Sequence, residues 1–139
     1  MAAGLPLPQQ RALSSFATNF SRAYQIIDDL LDIRGDGGKT GKDKGTDLRE
    51  QVVTLPYIEL FKQDNIGNDA RRLFLQAPYN SWAQEILKNY FYTTNVGEIV
   101  EEKARNYALQ ATNSLEALPD SAPRRRLEYI AAKNLVRIN

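Results

Sequence analysis

The chain has 139 residues, 42% of them apolar, a formal net charge of +1, and neither cysteine nor histidine. That size supports one modest core, read as a single domain over residues 1–139, and the missing residue types exclude a Cys/His zinc site, a thiol nucleophile and a Ser-His-Asp triad. The balanced charge supplies no field for nucleic acid or an acidic membrane, so any chemistry must rest on carboxylates, Lys, Arg, Tyr and backbone amides.

The opening MAAGLPLPQQR lacks a charged n-region and a long apolar stretch, and no apolar run reaches spanning length, so a cytoplasmic location is expected. From Pro8, suited to a first helical turn, to about Arg34, apolar residues recur at three and four: Leu13, Phe16, Phe20, Ala23, Ile27, Leu30 and Leu31. This predicts one long amphipathic helix. Five glycines from Gly35 to Gly45 then break it into a charged loop. A second helix is expected from Thr54, whose hydroxyl suits a cap, with Pro56 in its first turn and Leu60 and Phe61 beyond. Shorter helices follow over Asn68 to Gln76, stopped by Pro78, and over Ser81 to Tyr92, carrying Trp82, Ile86, Leu87 and Phe91. A stronger pattern, capped by Thr94 or Asn95, runs through Ile99, Val100, Ala104, Ala108 and Ala111 to Leu118, where Pro119 ends it. Ser121 and Pro123 open the last helix. No alternating segment and no internal repeat is present, so the class is all-α, with about six helices.

The loop invites two wrong readings. GGKTGK suggests a phosphate-binding P-loop, yet the first glycine of that pattern falls on Ile33, and the segment follows a helix rather than a strand. DIRGDGGKTGKD imitates an EF-hand, but Arg34 stands at its third position and Asp43 at its twelfth, where a bidentate glutamate belongs.

The aspartates say more. Asp28 and Asp32 are four apart and share a helical face, with Asp29 about a quarter turn away, all among Ile26, Ile27, Leu30 and Leu31. Like charges at that spacing weaken a helix slightly. Hard oxygen ligands on a helix end suit Mg²⁺, which takes one or two protein carboxylates and completes its shell with water and phosphate oxygens. Lys39, Lys42 and Lys44 follow in a loop able to meet those phosphates as point charges. The plainer alternative is that Asp29 and Asp32 face solvent and the lysines are ordinary loop charges.

Read together, YQIIDDLLD and GKDKGTDLREQVVTLP closely resemble the second aspartate-rich motif of the trans-isoprenyl diphosphate synthases, the polyprenyl synthetases. In weaker form the resemblance continues through VGEIVEEKARNYALQATNSLEALPDS to RRRLEYIAAKNLVRIN. It implies the C-terminal half of an all-α isoprenoid synthase bundle, in which two such motifs hold Mg²⁺ on an allylic diphosphate that condenses with isopentenyl diphosphate. By that resemblance Asp28 is the main metal ligand, Asp32 a weaker one and Asp29 a support. Lys42 contacts the allylic diphosphate, Gln25 positions the allyl group or its phosphates, and Lys39 or Lys44 stands in where Gln51 and Val52 replace the family's Gly-Lys. Tyr24 stands where phenylalanine is common.

The family's first aspartate-rich motif and its isopentenyl diphosphate site are not found in these residues. The sequence therefore reads as a partial domain, inactive alone: either a fragment of a longer enzyme, which would tend to self-associate, or one subunit of a split synthase completed by a partner carrying the first motif. The alternative is a non-catalytic helical interaction or regulatory subunit of a prenyl synthase complex. Product chain length is not encoded in these motifs. The remaining features have plain readings: Tyr90 to Tyr92 as core and interface, Arg124 to Arg126 as a solvated or partner-facing patch, and Glu101, Glu102, Lys103 and Arg105 as a solvated helix face.

Overall fold

The computed structural model describes residues 4–34 and 45–136, and every regular element among them is helical, as the periodicity predicts. The elements are α1 (Leu7–Arg34), α2 (Thr46–Arg49), α3 (Leu55–Phe61), α4 (Gly67–Gln76), a 3₁₀ turn (Ala77–Tyr79), α5 (Ser81–Thr93), α6 (Val96–Ser114), a second 3₁₀ turn (Leu115–Ala117) and α7 (Ala122–Leu135). No helix among the described residues is long and apolar enough to cross a membrane. The chain divides into two compact units, one of Met1–Ile27 with Glu102–Asn139 and the other of Asp28–Glu101.

In the first unit the apolar stripe of α1 supplies Phe16 to a core with Ala111, Leu115 and Ala131, and Leu13, Phe20, Leu118 and Leu127 pack around it. The Phe16 and Phe20 rings, one turn apart, stack at 5.7 Å. The Ser121 hydroxyl accepts from the Arg124 amide at 3.3 Å, so the expected cap of α7 forms. Arg124 is not a solvated cation. Half-buried, it donates to the Leu118 carbonyl at 2.8 Å and pairs with Glu128 at 2.8 Å, so the dipole penalty at a helix start is offset by local acceptors. Asn134 is a buried residue of α7, and both ends of its amide lack a hydrogen-bond partner among the described residues.

The second unit is built on α3, α4 and α5. Tyr57, Phe61 and Phe74 form an aromatic knot, with centroids 4.9 Å apart for Tyr57 and Phe74 and 5.6 Å for Phe61 and Phe74. Leu60, Leu73, Leu87, Phe91, Val96 and Val100 are buried with them. The turn between α3 and α4 depends on Gly67, whose amide donates to the Gln63 carbonyl at 2.7 Å. A Cβ there would run into the Phe61 carbonyl oxygen, well inside contact distance, so the close approach requires glycine.

Asn80 caps α5, accepting from the amides of Trp82 and Ala83. Thr54 occupies the expected N-cap of α3 in an extended conformation, yet its hydroxyl is buried and makes no hydrogen bond among the described residues. One expectation changes here: Glu101 is not a solvated charge but forms an ion pair with Arg34. Trp82 is 61% exposed, and Leu75 and Tyr79 are exposed as well.

Candidate functional site

The last turns of α1 place the aspartates in the second unit. Asp28 and Asp32 are half-buried, and Asp29 is 7% exposed. Burial removes the solvent-facing reading of Asp29, since a carboxylate held out of water must be matched by polar or charged groups around it.

Asp32 is engaged on both carboxylate oxygens. The Thr46 amide donates to Oδ1 at 3.1 Å and the Asp47 amide to Oδ2 at 3.3 Å, while the Gly45 amide donates to the Asp32 main-chain carbonyl at 3.4 Å. The sequence explains why a distant residue must do this. The N-cap of α2 is Gly45, in the left-handed region at φ 66°, and glycine has no side chain with which to cap. The carboxylate satisfies two amides that a helix start leaves without partners and places negative charge at the positive end of the peptide dipoles.

Beneath α2 lies Tyr57, 5% exposed. Its phenol is pushed well above the usual tyrosine range, first by burial and then by the negative charges of Asp32 and Asp47. A cleft of about 160 Å³ opens here, lined by Asp32, Leu48, Tyr57, Leu60, Lys88 and Phe91 among others. Sequence reasoning did not single out Asp47, Tyr57 or Lys88. Asp47 lay within the recognised Gly-Thr-Asp-Leu, whereas Tyr57 and Lys88 carry no local signal.

Gln25, exposed, lies about one turn before Asp28 on the same helix, and Tyr24 is 43% exposed. Lys39, Lys42 and Lys44 lie outside the described residues. Among the described residues no group of three His, Cys, Asp or Glu side chains is placed to hold a metal ion. Carboxylate oxygens are the donor type a hard cation takes, and those of Asp32 already accept two backbone amides. Gln51, where the resembling pattern has glycine, adopts φ 55°, and its side-chain amide donates to the Leu75 carbonyl at 3.2 Å.

Comparison with known proteins agrees with this architecture. Residues 1–90 match the family described as polyprenyl synthetase. The chain is 34% identical over 131 residues to the nonaprenyl diphosphate synthase of Mycobacterium tuberculosis, covering 91% of this chain and 38% of that protein. It is 31% identical over 128 residues to an all-trans-nonaprenyl-diphosphate synthase (geranyl-diphosphate specific) of Rhodobacter capsulatus, covering 91% and 39%. Among solved structures, the geranylgeranyl pyrophosphate synthase of Corynebacterium glutamicum complexed with calcium and isoprenyl diphosphate superposes with a TM-score of 0.86 at 25% identity, over 99% of this chain and 43% of that one. The chain thus spans about two-fifths of the length of these relatives. With the all-helical fold and the ordered motif from Tyr24 to Pro56, the match over residues 1–90 establishes that this chain belongs to the polyprenyl synthetase family.

Proposed function

We propose that the chain forms the second-aspartate-motif wall of a trans-prenyl diphosphate synthase and acts on an allylic diphosphate and isopentenyl diphosphate once a segment or partner bearing the first motif completes the cavity. The observation that supports this reading most is the end of α1, where half-buried Asp28 and Asp32 flank buried Asp29 and the chain returns at Gly45 to hydrogen-bond Asp32. Asp28 is the carboxylate best placed to accept a divalent cation. Asp29 supports it from the buried flank by hydrogen bonding, as groups behind a ligand commonly do. Gln25 orients the allylic end, and Lys42, with Lys39 or Lys44, neutralises diphosphate oxygens as point charges. Mg²⁺, when bound, would supply Lewis-acid stabilisation of the departing diphosphate. A completed cavity would keep water from the cationic carbon. One wall does not enclose the reacting carbons, so the chain alone is expected to bind without turnover.

The similarity to the Corynebacterium synthase, which is complexed with calcium and isoprenyl diphosphate, supports the ligand class. Isothermal titration with Mg²⁺ and an allylic diphosphate tests the proposal. Wild type should bind only with the metal, and Asp28→Ala should bind at least about tenfold more weakly, the usual scale for metal-site losses. Equal binding by both proteins, or none by wild type, sinks it. The alternative of a non-catalytic interaction subunit draws on exposed Leu75, Tyr79 and Trp82 and predicts complex formation that Asp28→Ala leaves intact.

A further inference from the structure

Asp28 and Asp32 share a helix face, and the chain returns at α2 to meet Asp32. Each Asp32 oxygen already accepts a backbone amide of α2; each keeps a second lone pair, but a cation approaching it meets the positive charge of the amide hydrogen beside it.

The helix that Asp32 meets has only four residues, too few to persist without outside contacts. Its N-cap, Gly45, makes no side-chain cap. Downstream, the Val52 amide donates to the Asp47 carbonyl at 2.8 Å, so the position of Asp47 carries into the link toward α3. Leu48 is buried from the same short helix, and Tyr57 lies close enough to feel both Asp32 and Asp47.

We infer that Asp32 is a positioning residue rather than a metal ligand: its carboxylate is the N-terminal cap that α2 cannot supply for itself, and it fixes Asp47 beside Tyr57. On the proposed function the motif's metal ligand is Asp28. Asp32 acts through the backbone of α2, and its effect on any ligand is indirect.

Asparagine separates the two roles. As a cap it ranks with aspartate, whereas as a ligand for a hard dication its neutral amide is a poor replacement for a carboxylate. Amide hydrogen exchange resolved by residue and Mg²⁺-dependent titration with inorganic diphosphate are measured on wild type, Asp32→Asn, Asp32→Ala and Asp28→Asn, with circular dichroism checking that each variant folds. In Asp32→Ala, exchange at Thr46 and Asp47 should accelerate at least about tenfold, and Asp32→Asn should restore most of the protection.

The titration arm rests on the proposed function. There, Asp32→Asn should stay within about threefold of wild type while Asp28→Asn weakens about tenfold or more. Wild-type exchange rates at Thr46 and Asp47 in Asp32→Ala would overturn the inference. So would a loss of diphosphate affinity in Asp32→Asn as large as in Asp28→Asn. If wild type binds no inorganic diphosphate, the proposed function is what suffers, and the exchange rates still decide the cap.

Discussion

Arg34 closes α1 by pairing with Glu101 on α6, and the Arg34 carbonyl accepts a hydrogen bond from the Tyr92 hydroxyl at 3.2 Å. The two charged side chains keep only 26% and 16% of their exposure. A pair so sheltered is screened less than a surface pair, and truncating one partner leaves the other charge poorly solvated. Glu101→Ala should lower stability by about 1–2 kcal/mol in urea denaturation, while Glu102→Ala, an exposed neighbour, should stay within about 0.5 kcal/mol.

Gly67 and Gly97 should differ in their tolerance of alanine. At Gly67 the added methyl meets main-chain atoms of Phe61, which cannot swing aside, so a loss of about 1–3 kcal/mol is expected. At Gly97 the methyl would sit 3.5 Å from Arg34 and Phe91 side-chain atoms, an ordinary contact, and the variant should stay within about 0.5 kcal/mol of wild type. Denaturation midpoints of the two variants make the comparison.

Gln51 holds a left-handed backbone that glycine adopts without strain. Gln51→Gly gives up one exposed hydrogen bond to Leu75 and should still gain about 0.5–1 kcal/mol, seen as a higher urea midpoint at unchanged slope. A lower midpoint would mean that the bond to Leu75 outweighs the backbone strain.

The amide of Asn134 is buried without a partner among the described residues. Replacing it by leucine removes that desolvation penalty with the same branched heavy-atom shape, and Asn134→Leu should stabilise the chain by about 1 kcal/mol. Thermal unfolding followed by circular dichroism measures the shift.

Tyr57 sets the alkaline limit. Its phenol is held above the ordinary range by burial, with Asp32 and Asp47 adding to the effect. The folded state therefore keeps a proton that the unfolded chain releases near pH ~10. Stability from this group is complete below that pH and is lost as pH rises toward the higher folded value. Tyr57→Phe should flatten that decline, and in a spectrophotometric titration one of the seven tyrosines should ionise only with unfolding.

The long helices were legible in the sequence because their signals are local. Period, prolines and the side chains of Asn80 and Ser121 lie within a turn or two of what they control. Helix α2 was not legible, since its four residues have no period and its cap arrives from Asp32, fourteen positions upstream. Thr54 shows the converse: a residue of the right type at the right place, in the right extended backbone, whose hydroxyl makes no cap. Likewise Glu101 looked solvated beside Glu102 because Arg34, its partner, is 67 residues away. Within the site, spacing alone put Asp28 and Asp32 on one face, but only the returning backbone shows what the Asp32 oxygens meet.

The exposure of Trp82 has a spectroscopic consequence. It is the sole tryptophan, 61% exposed at the start of α5. Its emission in the folded chain should already lie near that of indole in water and change little on denaturation, so fluorescence is a poor gauge of folding here. The same property makes it a clean reporter of association, because a blue shift would require another surface to cover Trp82 and take it out of water.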